Sequence, residues 1–156
     1  YTMIALAVIG SLLIATVNSY TASLRNASEI EQLRNLLSQV AAKGSELIVL
    51  VASANLSAHV SLQLPASIGT QQYWLRARND SSNAWIEGAL GQMVDVTVPN
   101  RVYLPRGTSV SGYYVSGYGA AILEAYVDGS NPQLNLPENL RYQFEPLRGH
   151  NAIGSL

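Results

Sequence analysis

The first 24 residues of the chain carry no charged side chain, and no proline interrupts it before Pro65. Residues 3–17 (MIALAVIGSLLIATV) are apolar apart from Gly10, Ser11 and Thr16. Wound as a helix, 24 residues span roughly 36 Å, enough to cross a hydrocarbon layer of about 30 Å. Asn18, Ser19 and Thr21 weaken the segment as a membrane span toward its far end. Ala5, Ala7, Gly10, Ser11 and Ala15 recur where helices can approach one another closely. A helix that is apolar all round must be covered by lipid or by other helices, because exposure to water forfeits about 25 cal/mol for each Å² of apolar surface.

Residues 25–51 (RNASEIEQLRNLLSQVAAKGSELIVLV) change character without a turn signal, so the same helix is expected to continue. Ile30, Leu33, Leu37, Val40, Gly44, Leu47 and Val51 are spaced alternately three and four apart, an apolar seam at heptad spacing with one glycine gap. Arg25 with Glu29, Glu31 with Arg34, and Lys43 with Glu46 read as charge pairs off that seam. Unbroken from Met3 to about Ser53, the rod would measure roughly 75 Å.

Beyond Ala54 the hydrophobic period becomes two. Residues 59–64, 72–78, 84–90, 93–98, 101–104, 109–115 and 121–127 read as strands, separated by turn formers such as Pro65, 79–83, Gly91, Pro99-Asn100, 105–107, Gly117 with Gly119, and Asp128-Gly129. The expected fold is therefore α+β: a long N-terminal helix over 1–54 and a small antiparallel β-sandwich or barrel head over 55–128. The helix divides into an apolar segment, 1–24, and an amphipathic one, 25–54. Residues 129–156, with three prolines and little periodicity, are expected to form an extended tail lying over the head or over a neighbour.

With 9 basic and 10 acidic residues the net charge is −1, which leaves no basic track for nucleic acid. Charged residues make up 12% of the chain, about half the usual share, and such a surface suits packing against copies of itself or exposure outside a cell. Cysteine is absent, so disulfides, thiolate metal sites and a cysteine nucleophile are ruled out. His59 and His150 are the two histidines, and Asp80, Asp95, Asp128, Glu87, Glu124, Glu138 and Glu145 lie scattered along the head without any motif spacing. No catalytic residue, metal site or cofactor is expected.

Three N-x-Ser sequons begin at Asn26, Asn55 and Asn79. Asn79, in a polar turn, is the best placed for glycosylation and Asn26, on the rod, the least. Residues 112–119 (GYYVSGYG) gather tyrosine and glycine, and read either as a strand end with a bulge or as a contact loop.

A continuous helix with its apolar half at the extreme N-terminus, a β-rich head and no cysteine together resemble the archaeal type IV pilin superfamily, which includes adhesion pilins and archaellins. The resemblance is architectural and covers residues 1 to about 128. It implies a peptidase that removes a short basic leader to leave TMIALAVIGSLLIATV as the new N-terminus. It further implies subunits that wait in the membrane and then polymerise through this segment. Absence of a glutamate near position 5 and of paired cysteines near the C-terminus separates the chain from bacterial type IV pilins. In a filament of that kind Met3, Ile4, Leu6, Val8, Ile9, Gly10, Leu12, Leu13, Ile14 and Val17 would pack the core, and the seam from Ile30 to Val51 would form a second helical layer. The partners would be copies of the chain itself, the membrane before assembly, and surface glycans or abiotic surfaces once assembled. Two other readings are an archaellin of a motility filament and a membrane-anchored module whose head binds a surface protein or sugar.

Overall fold

The computed structural model describes residues 2–95 and 98–137, with side chains from residue 14 onward. It consists of one helix, α1 (Thr2–Ala54), and seven strands: β1 (Ala58–Leu62), β2 (Tyr73–Asn79), β3 (Ala84–Leu90), β4 (Arg101–Tyr103), β5 (Ser109–Val115), β6 (Ala121–Asp128) and β7 (Asn131–Leu136). The 53 residues of α1 make a rod of about 80 Å. No proline or break occurs along it, and it ends where Asn55 turns left-handed at φ 49°, the usual way to terminate a helix.

The strands form a single open sheet in the order β1-β6-β7-β5-β2-β3-β4. The class is α+β as expected, but the sheet does not close into a barrel. It is also mixed, because β5 and β7 run parallel. β5 joins the two halves: Ser109–Gly112 pair with β7, and Tyr113–Val115 pair with β2. Gly112 stands at the changeover with φ 97°, where a side chain would collide with the Leu136 carbonyl. The tyrosine and glycine cluster is thus the end of strand β5, residues 112–115, with a glycine that admits a close neighbour, and the turn that follows it, residues 116–119.

Two strand assignments need correction. Residues 93–95 and 98 are not strand, and lie in the connection between β3 and β4; residues 96–97 lie outside the described residues. Conversely, the tail expected from residue 129 begins with β7, which sits inside the sheet between β6 and β5. Gly129-Ser130 form a two-residue hairpin closed by the Asp128 and Asn131 pair. Pro132 is tolerated because parallel pairing to β5 begins only at Gln133. Residues 138–156 lie outside the described residues.

One face of the sheet receives the second half of α1. Leu33, Leu36, Leu37, Val40, Ala41, Leu47, Ile48 and Val51 are buried against Leu75, Ile86, Leu123, Leu134 and Leu136 of the strands. Gly44 lies where its missing side chain leaves room for Leu134. The seam read from the sequence therefore packs on the chain's own sheet, and Ile30 falls off it at 41% exposed. The buried stripe is wider than the heptad seam, taking in Glu29, Leu36, Ala41 and Ile48, because a helix lying on a sheet buries an arc of period 3.6 instead of the narrow line of a coiled coil.

The opposite face of the sheet is aromatic and charged. Trp74 and Arg76 of β2, Trp85 and Glu87 of β3, and Arg101 and Tyr103 of β4 lie there together. Arg76 donates to Glu87 Oε1 through Nε at 3.0 Å and Nη2 at 2.7 Å, and Trp85 Nε1 donates to Glu87 Oε2 at 2.9 Å. The β3–β4 connection crosses this cluster: Gln92 offers its carbonyl to Trp74 Nε1 at 3.1 Å, and Asp95 accepts from Arg76 Nη1 at 3.0 Å. Arg76 stacks on Trp74 and Arg101 on Trp85, each 5.3 Å from the ring centre.

Candidate functional site: a bare helix

What most distinguishes this molecule is the helix before it meets the head. Packing on the sheet begins at Glu29, and every residue from Ile14 to Ser28 is exposed. Ile14, Val17, Tyr20 and Leu24 are each more than half exposed and form an apolar stripe along one side of the rod. The helical backbone continues uninterrupted to Thr2. By length and composition α1 is a candidate membrane span. Of the expected core residues, Ile14 and Val17 are exposed as described; the side chains of Met3, Ile4, Leu6, Val8, Ile9, Leu12 and Leu13, and Gly10 with them, belong to the stretch of which the backbone alone is described.

The root of the free segment is held by polar contacts that the sequence did not announce. Glu29, expected to pair with Arg25 on the surface, is buried, and Gln71 Nε2 donates to its Oε2 at 3.0 Å. Gly69, with φ 58°, leaves the space that the Glu29 carboxyl fills. Its side chain thus ties α1 to the turn before β2 at the point where the rod leaves the head. The other two expected pairs form: Lys43 Nζ reaches Glu46 at 2.7 Å and Arg34 reaches Glu31 at 3.4 Å, both exposed.

The remaining candidates are dispersed. Asn26, Asn55 and Asn79 are all exposed. Asn79 is the last residue of β2, and the turn after it is held by Asp80, whose Oδ1 accepts from the Ser82 and Asn83 amides at 2.7 Å each. Those two donors hold the Asp80 carboxyl below the usual carboxylate range. His59 is exposed on β1, while His150, Glu138 and Glu145 lie outside the described residues. Among the described residues no group of three acidic or histidine side chains is placed to hold a metal ion. Tyr73 and Tyr114 lie in the core with ring centres 6.3 Å apart, and burial pushes both phenols above their ordinary value; Tyr73 is pushed further by its neighbour Tyr114.

No family model, curated protein or solved structure matches the chain. What stands is an architecture: a long apolar N-terminal helix followed by a sheet, compatible with that of a pilin and with insertion in a membrane.

Proposed function

We propose that the protein is the structural subunit of an extracellular helical filament of the archaeal type IV pilus kind, serving surface adhesion or cell contact. In this reading the bare helix anchors the unassembled subunit in the membrane and later packs against the same helix of other copies, while the head faces water. The observation that carries it is the exposure of residues 14–28 on all sides in a rod whose first 24 residues hold no charge. The head already buries its half of α1, and the described residues supply no cover for residues 14–28. Exchanging lipid for sister helices keeps the segment out of water throughout. The protein's work is then mechanical and not catalytic, and the exposed sequons suit a glycosylated surface polymer.

Electron microscopy of the purified full chain after detergent removal tests this. Fibres of uniform width are expected. Discrete single particles, with α1 accommodated in each one, would overturn the proposal.

A further inference from the structure

Beside the helix, on the flank next to strand β1, runs a groove of about 320 Å³ lined by Gln39, Val40, Ala42 and Lys43 of α1 and by residues 62–64. Its wall is mostly apolar. Its one charged lining residue, Lys43, has its ammonium held at 2.7 Å by Glu46, so the groove presents the methylene stem of that side chain and no unpaired charge. The groove lies at the open edge of the sheet, since β1 pairs with β6 alone.

We infer that this groove seats the uncharged helix, around Ile14 to Leu24, of a second copy of the chain. The inference rests on the filament reading and specifies how neighbouring subunits meet. Charge matches on both sides, as a segment without ionised groups meets a neutralised wall. The occupant must come from another copy. In its own chain the helix is unbroken, so residues 14–24 continue in line past the head and never turn back to residues 39–43.

Setting residues 17–20 of one copy beside 39–42 of the next makes a parallel offset of 22 residues, or about 33 Å along the rod. A contact of this kind joins two different patches and so propagates instead of closing. Its size also matters. Half the flank of a helix about 16 Å long and 10 Å wide covers about 260 Å². A stable pairwise interface needs about 800 Å² per partner. One groove contact is thus too small to hold a dimer, and the rest of the bare helix must be covered by further copies, so assembly proceeds without a stable dimer.

The test uses the absence of native cysteine. Full-length chains carrying Val17→Cys with Gln39→Cys, or Tyr20→Cys with Ala42→Cys, are assembled and treated with a short bis-maleimide. All four positions are exposed, so neither pair disturbs the core. Fibres that yield a ladder of covalent oligomers with both pairs, and none with Val17→Cys and Ser82→Cys, are the expected result. Fibres without a ladder would refute the groove and leave the filament reading intact. Unsubstituted chains that form no fibres would refute the filament reading and this inference with it.

Discussion

Replacing Glu87 by Gln removes one charge from the centre of the head's polar cluster without changing its shape. The carboxyl is 2% exposed and the Arg76 side chain 12%. Glu87 accepts three hydrogen bonds, two from Arg76 and one from Trp85 Nε1. An amide has one acceptor oxygen where the carboxylate has two, so the substituted side chain turns its own N–H groups either toward the Arg76 guanidinium or toward the indole N–H. In both cases a buried donor is stranded. Breaking a buried pair from one side costs about 3–5 kcal/mol when the remaining charge has no other partner. Here Arg76 keeps Asp95, but that carboxylate is 86% exposed and its attraction is screened. The expected loss is therefore about 2–3 kcal/mol. Both tryptophans of the chain touch this cluster, so urea unfolding of the full chain in detergent micelles, followed by intrinsic fluorescence, reads it directly. Converting Arg76 and Glu87 together to Met should recover most of the loss. A Glu87→Gln protein within about 0.5 kcal/mol of the parent would refute the reasoning, since a wet ion pair costs that little to break.

Gly112→Ala forces a side chain toward the Leu136 carbonyl at a φ of 97°, and the same unfolding experiment should show a loss of about 2–4 kcal/mol. Gly91→Ala, at φ 89° with open space around it, should cost only the backbone strain, about 1–2 kcal/mol. Raised phenol values at Tyr73 and Tyr114 mean that the unfolded chain gives up those protons at lower pH than the folded one. Their contribution is intact below the ordinary tyrosine range, and stability falls as pH climbs through it. A spectroscopic titration of phenolate should find two tyrosines that ionise only as the head unfolds; all tyrosines titrating together while the fold persists would contradict the burial.

The helix was legible because its signals are redundant: no proline before Pro65, no charge before Arg25, and apolar residues at helical spacing from Leu33 to Val51. Its destination was less so. The three-and-four spacing that pointed to a helical layer is shared by any helix lying on a surface, and only the breadth of the stripe, with Leu36, Ala41 and Ile48 flanking the seam, distinguishes a sheet partner. β7 was hidden because Pro132 lies within it, Pro137 follows it and its outward positions are Gln133 and Asn135, so local composition argued for a coil while Leu134 and Leu136 filled the core. Residues 93–98 alternate in sequence like a strand, yet Asp95 is drawn onto Arg76 across the face of β2 and β3. Glu29 looked like a surface charge because its partner Gln71 is 42 residues away. The bare segment itself was readable in kind from its composition, whereas its exposed length depends on where the head begins to grip, at Glu29.

Cryo-electron microscopy of fibres grown from the full chain would measure what covers residues 2–28. The account predicts that these helices meet one another in a dry centre, with neighbours offset along the axis and the sheets turned outward. A map in which the same helices stand apart in solvent or lipid, each belonging to a separate particle, would contradict it.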